Sequence, residues 1–424
     1  MSQMFSDCEI KDPSLAAEGE EILRKTKLKM PILELISFRF MQSRIFAGLK
    51  LSLCLHMTGE SAAFALALQA GGADLYMAGS SPRTINDPVM AALAVNHGIH
   101  VYADSSKAMD RNEAYLNRLL AAKPDIIADE SAVLFGAIKG SRSVLSGNLI
   151  GATEQTTAGV QVIQESERNG QLRYPIICVN DSDSKHMFDN QFGVGQSFIY
   201  ACSKLNRFVF SGRTVVICGF GWCGKGAARM AAGMGANIIV TEVNPFKAME
   251  AHMMGYRVMP IREAAALGDC FATFTGSTKV IDYETMCLMK NDALVMNCGS
   301  GTTEVDVETL KEKALYSRQD SELLTTFFLQ NGKRVQIACD GRVANLVCVG
   351  GNSAEIMDLS FSIHAMAMEY LVQNKGRLEK HLYRVPSEVD ESISGLKLLT
   401  YGISIDRQTE EQKRYHSRYV DLDR

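Results

Sequence analysis

The stretch "VVICGFGWCGKGAARM", residues 215–230, begins as an apolar strand, breaks into glycines and resumes with helical spacing. Gly219, Gly221 and Gly224 form G-x-G-x-x-G. The first glycine permits a tight turn, the second lets backbone approach a pyrophosphate, and the third lets helix and strand pack closely. Phosphates would sit at the helix N-terminus, where free N–H groups and the dipole favour anions. Glu242 ends the next strand, "IIVTE", at the distance where such folds carry the acid that reads a ribose. A carboxylate there accepts hydrogen bonds from the ribose diol and repels a 2′-phosphate, so NAD is expected rather than NADP. The spacing alone also suits a glycine turn without cofactor; strand, helix and acid together favour the dinucleotide.

Outward from this loop, strand-like and helical runs alternate. "KLSLCLHM", "ADLYMAG", "IHVYAD" and "PDIIADE" are separated by helical stretches, and "YPIICVND" reads as a further buried strand. That alternation predicts a parallel, doubly wound sheet. A second series follows: "GRTVVICGFG", "ANIIVTEV", "YRVMP", "CFATFTG", "ALVMNCG" and "VQIACDG", a six-strand nucleotide-binding pattern. "NSAEIMDLSFSIHAMAMEYLVQNK" then reads as one long helix, and the charged end "RQTEEQKRYHSRYVDLDR" as a surface or subunit-contact tail. The fold class is α/β, with two doubly wound domains around a cleft. A substrate-binding domain is expected over 1–190 plus 352–380, a Rossmann domain over 191–351 and a tail over 381–424.

Composition narrows the function. The 424 residues are 46% hydrophobic with a net charge of −4, signs interspersed, which argues against nucleic acid or an anionic membrane as partner. The acidic N-terminus lacks an apolar core of a secretory signal. Glu60 and glycines interrupt the longest apolar stretch, so a cytoplasmic protein is expected. The 11 cysteines form no C-x-x-C pair and read as buried free thiols. His97 and His100 lack a neighbouring ligand cluster, so no metal is expected.

In "VNDSDSKHMFDNQFGVGQS", Lys185 and Asp189 stand four apart near a strand end. A lysine beside a carboxylate can act as base for an alcohol about to lose hydride. By spacing alone, an exposed i,i+4 ion pair is the plainer reading.

Seven segments add weight: "CLHMT" (54–58), "EQTTAGV" (154–160), "VNDSDSKHMFDN" (179–190), "GFGWCGKG" (219–226), "TEVNP" (241–245), "TFTG" (273–276) and "DGRVANL" (340–346). Together they resemble, colinearly from about residue 8 to 415, the S-adenosylhomocysteine hydrolase (adenosylhomocysteinase) family. The resemblance implies a tightly held NAD that oxidises the ribose 3′-OH of an adenine nucleoside. The ketone acidifies C4′–H, the 5′ substituent leaves, water adds to the 4′,5′-ene, and the ketone is reduced again. It also implies a homo-oligomer, tetramer or dimer.

Carried over by that resemblance, Lys185 handles the 3′-OH proton, Asp189 is its acidic partner and Asn190 an active-site asparagine. Thr156, Thr157, Thr275, Gly276 and Asn345 match cofactor contacts, beside Trp222 and Cys223 of the loop. His56 and Thr58 match the histidine near C5′ and its neighbour. Glu60 reads the adenine edge, and Met357 and Phe361 surround the base. The departures cluster at the 5′ end of the substrate and around the base. "DDGGD" is "ADESA", with Asp129 and Glu130 at the first two acids. An acidic substrate contact becomes Gln155; Ser300 and Asn352 replace pocket histidines; and the familiar C-terminal extension is replaced by "QKRYHSRYVDLDR". These changes point to retained 3′-oxidation with an altered outcome: a nucleoside dehydratase or lyase releasing the 4′,5′-ene. A divergent hydrolase, a C4′ epimerase and a catalytically silent NAD-binding relative are the other readings.

Overall fold

A computed structural model describes residues 7–81, 84–139, 149–299 and 303–420. Among the described residues, sixteen strands form two sheets of eight. The first holds β1 (Glu9–Ile10), β2 (Lys50–Leu55), β3 (Asp74–Gly79), β4 (His100–Ala103), β5 (Ile126–Asp129), β6 (Gly151–Glu154), β7 (Ile176–Cys178) and β16 (Leu382–Arg384). Their order is β1-β4-β3-β2-β5-β6-β7-β16, parallel throughout. The second holds β8 (Thr214–Cys218), β9 (Asn237–Thr241), β10 (Arg257–Val258), β11 (Cys270–Thr273), β12 (Ala293–Asn297), β13 (Tyr316–Ser321), β14 (Leu324–Phe328) and β15 (Arg334–Ala338). Its order is β10-β9-β8-β11-β12-β15-β14-β13. The first six run parallel in the Rossmann 3-2-1-4-5-6 order. The hairpin β13–β14 closes the edge antiparallel.

Both sheets are covered on both faces, which is why their strands read as continuous apolar runs. Along β8, Val215 and Ile217 enter one core and Val216 and Cys218 the other. On the first sheet, one face packs Pro31–Ser43, Gly59–Ala70, Asp87–His97 and Ala354–Gln373; the other packs Ala108–Ala121, Val133–Lys139 and Thr157–Arg168. Among the described residues, no helix is long and apolar enough to cross a membrane.

Five strands, β1, β6, β13, β14 and β16, are absent from the sequence reading. Strands β1, β6 and β16 carry only two to four residues, too few for a period to register. Strand β13, "YSRQDS", is exposed along its whole length and shows no alternation of burial. The tail expected from residue 381 also starts later: β16 pairs with β7, and helix Ser387–Thr400 buries Ile393 in the first core.

A buried ion pair fixes that last helix. Lys397 Nζ lies 2.9 Å from Asp358 Oδ2 on helix Ala354–Gln373. Asp358 also accepts from the backbone N–H groups of Leu33 (2.9 Å) and Ile32 (3.3 Å), at a helix start whose own cap residue, Met30, supplies no side chain. One carboxylate thus joins three helices. Lys397→Met strands that buried charge and should lower stability by about 3–5 kcal/mol, measured by chemical denaturation.

Candidate active site

In open α/β sheets, ligands gather beyond the carboxyl ends of strands where the strand order reverses. In the second sheet that point lies between β8 and β11. Gly219 follows β8 with φ +94°, and a Cβ on Gly224 would lie 1.9 Å from Gly219 O. Both positions therefore demand glycine. A Cβ on Gly221 would meet nothing but Lys247 Nζ at 3.9 Å. It would stand in the open cradle above the loop. Gly221 also begins helix Trp222–Gly233 without a side-chain cap, which leaves first-turn N–H groups free for an anion.

Glu242 lies beside this loop and accepts from Phe220 N (2.7 Å), Val243 N (2.8 Å) and Asn244 N (3.0 Å). Partial burial pushes its carboxyl upward, but these backbone donors outweigh it and hold the group below the usual range. Thr275 N, Thr275 Oγ1 and Gly276 N all donate to buried Glu304, at 2.9, 2.7 and 2.9 Å. Asn345 donates to Ser197 Oγ at 3.2 Å, while its Oδ1 is buried without a partner among the described residues. An open glycine cradle, a carboxylate beside it and an orphaned buried acceptor fit NAD.

Lys185 opens a π-helical stretch, Lys185–Gly193, that leads into helix Val194–Asn206. Such turns are rare and concentrate at functional sites. Lys185 Nζ is 2.5 Å from Asp189 Oδ2, with side chains 9% and 6% exposed. The exposed-pair reading is thereby excluded. Lys185 also donates to Asn190 Oδ1 (3.3 Å). Asp189 further accepts from Ser360 Oγ (2.6 Å) and Asn352 Nδ2 (2.7 Å). Trp222 stacks on His186 at 5.1 Å, and Lys185 is among the charges acting on neighbouring Cys223, whose thiol burial pushes up to about 12. The dinucleotide loop and the lysine are thus next to each other.

The first sheet reverses between β2 and β5, and there His56 meets Glu130. Glu130 accepts from His56 N (2.7 Å) and Ser80 Oγ (3.0 Å), and its other oxygen lies 3.3 Å from His56 Nε2. His56 Nδ1 is 2.8 Å from Thr84 Oγ1. Gln155, next along at the end of β6, lies buried against His364.

Several expected site residues are engaged elsewhere. Asp129 turns both oxygens to the backbone of Glu130, Leu134 and Phe135, so it organises a turn instead of joining His56. Burial pushes its carboxyl up to about 7, and likewise its neighbour Glu154 to about 8. Thr58 caps helix Gly59–Ala70, with Glu60 in its first turn; burial raises the Glu60 carboxyl. Thr156 caps helix Thr157–Arg168, and Thr157 donates to Asn180 Oδ1 at 3.3 Å. Asn352 is engaged by protein groups: Nδ2 donates to Asp189, and Oδ1 accepts from Ser197 Oγ at 3.2 Å. Phe361 stacks on Phe64 at 5.0 Å and is fully buried, while Met357 is half-buried. Ser300 lies outside the described residues.

Sequence reading missed Glu154, Asn180, Ser197, Glu304, Ser360 and His364. Glu154 and Asn180 stand inside the quoted segments "EQTTAGV" and "VNDSDSKHMFDN", Ser197 and Glu304 are single polar residues in ordinary stretches, and Ser360 and His364, four apart on a long helix, shared a legible face.

The fold and site define an NAD-dependent enzyme: a Rossmann unit with a dinucleotide loop, and a second parallel-sheet unit that brings a buried lysine–aspartate pair to that loop. Residues 190–351 match the family described as "S-adenosyl-L-homocysteine hydrolase, NAD binding domain", and residues 7–140 match "S-adenosyl-L-homocysteine hydrolase". The adenosylhomocysteinase of Aquifex aeolicus is 41% identical over 409 residues, covering 96% of this chain and 98% of the relative. That of Pyrococcus abyssi is 40% identical, covering 98% of each chain. The S-inosyl-L-homocysteine hydrolase of Methanocaldococcus jannaschii is 39% identical, covering 96% and 98%. The chain belongs to the S-adenosyl-L-homocysteine hydrolase family.

Gly221→Val fills the cradle without touching the core. The variant should purify folded, with an unchanged thermal transition in the absence of cofactor, and without bound NAD in the absorbance of the denatured supernatant.

Proposed function

We propose that this chain is an NAD-dependent hydrolase of a nucleosidyl-homocysteine, with S-adenosylhomocysteine as first candidate. The observation that carries the reading is the buried Lys185–Asp189 pair packed against the dinucleotide loop. When bound, NAD supplies the hydride acceptor and donor that make C3′ of the sugar transiently a ketone. Lys185 takes the proton from the 3′-oxygen, and Asp189 holds the resulting ammonium. Asn190 fixes the lysine from the other side. His56 and Glu130 stand together as the pair for proton traffic at C4′ and C5′. Closure of the two units around hinges near 190 and 351 would exclude water from the ketone. The proposed division is 1–190 plus 352–380 for substrate and 191–351 for NAD, with β16 and the helix after it joining the substrate unit.

The relatives' names favour hydrolysis over release of the 4′,5′-ene. The base is a separate question, because one relative near 40% identity is named for an inosyl substrate. Glu60, whose buried carboxyl is raised, is the candidate reader of the base edge. A homo-oligomer is supported by the exposed apolar run Val243, Phe246, Met249 and Met253 beside Glu242.

Incubation of the NAD-loaded protein with S-adenosylhomocysteine should yield adenosine and homocysteine, followed by thiol release and mass spectrometry. Accumulation of a 4′,5′-ene without adenosine would establish the lyase instead. Turnover of S-inosylhomocysteine alone would reassign the base. Lys185→Ala should keep its NAD and lose nucleoside-dependent reduction of it; normal reduction would remove Lys185 from the mechanism.

A further inference from the structure

His364 lies fully buried in helix Ala354–Gln373, its ring tilted against Phe64 with centroids 4.8 Å apart. Its Nε2 is 2.6 Å from Thr153 Oγ1 and its Nδ1 is 3.3 Å from Gln155 Oε1. The Thr153 hydroxyl has one other acceptor in reach, Ile127 O at 3.4 Å. An amide oxygen only accepts, so the ring nitrogen facing Gln155 Oε1 carries the proton and Nε2 accepts from the Thr153 hydroxyl. Burial, then the charge of Lys185, push the imidazole down to about 3, so it is neutral and carries one ring proton. That proton is on Nδ1 and is donated to Gln155 Oε1. That leaves the Gln155 amide nitrogen for another acceptor.

Helix geometry says where that nitrogen stands. Ser360 bonds the Asp189 oxygen that pairs with Lys185; His364, four residues on, bonds Gln155. Four residues are about 6 Å of helix, roughly one turn. The lysine–aspartate pair and the Gln155 amide are therefore adjacent along one helix face. That span suits a single sugar oxygen held between them.

We propose that His364 is a positioning residue that locks Gln155 with its amide nitrogen toward the sugar, so that the site offers the C3′ oxygen a hydrogen-bond donor in place of a second carboxylate. The inference rests on the proposed transient 3′-ketone. In the step concerned, a base takes H4′ as a proton. The C4′–H pair becomes the C3′–C4′ double bond, and the carbonyl π pair moves onto the C3′ oxygen as an enolate. A fixed N–H donor stabilises that developing charge, whereas a carboxylate in its place repels it.

The NAD-loaded protein is mixed with adenosine in deuterated water. Reduction of bound NAD is read by absorbance, and deuterium at C4′ by mass spectrometry. The quantity of interest is the exchange rate per equivalent of NAD reduced. Gln155→Glu should lower it on the order of 100-fold. His364→Phe, which keeps the ring contact but frees the amide, should lower it about 10-fold. Equal exchange per reduced NAD in wild type and Gln155→Glu would overturn the inference while leaving the 3′-ketone intact. Absence of both signals in wild type would instead sink the parent reading. The ring assignment is checked separately by nitrogen-15 NMR of the full chain: the Nδ1–H tautomer of His364 is expected, and Nε2–H would overturn the lock.

Discussion

The helix that carries the dinucleotide loop and the helix that follows Lys185 touch backbone to backbone. A Cβ on Gly226 would lie 1.9 Å from Gln191 O, and one on Gly195 would lie 2.7 Å from Gly226 O. No side chain fits between them. Close packing of this kind has no slack, since even one added methylene is felt in a native interior. The relation between the loop and the π-helical stretch that holds Lys185 is therefore set by main chain. Hydride transfer needs reacting atoms held to within fractions of an ångström, and this contact is where such accuracy can originate.

A polar chain runs across the same junction. Asn345 bonds Ser197, Ser197 bonds Asn352, Asn352 bonds Asp189, and Asp189 holds Lys185. It ties together both segments where the polypeptide passes between the two sheets. Asn352 also approaches Gly193, whose Cβ would lie 2.6 Å from its amide nitrogen. Buried networks are rigid when every member is satisfied and costly when one is not. In this one only Asn345 Oδ1 is left over.

The fold was legible because both sheets are buried on two faces. Val215 to Cys218, or Leu51 to Leu55, read as strands from unbroken apolarity. The glycine loop was legible because each glycine answers a separate steric demand. Lys185 and Asp189 were visible as a pair, but whether the pair was buried was not, since i,i+4 spacing is the same on a solvated helix. Gln155 was visible as a departure from the family pattern; its partner His364 was not. A lone histidine in "SFSIHAMAM" looks like any core residue. Its meaning comes from an encounter across 209 positions of sequence, which no local period records. Asn352, aligned with a pocket histidine, bonds Asp189 and Ser197, partners that no local spacing reveals.

The account stands or falls on where the Lys185 amine points in a loaded site. A crystal structure of the NAD-bound protein with an adenine nucleoside tests this most directly. The account predicts Nζ within hydrogen-bond reach of a sugar hydroxyl, with Asp189 behind it and the dinucleotide along the glycine loop. An amine turned away from the sugar, or a loop occluded by protein, would contradict it.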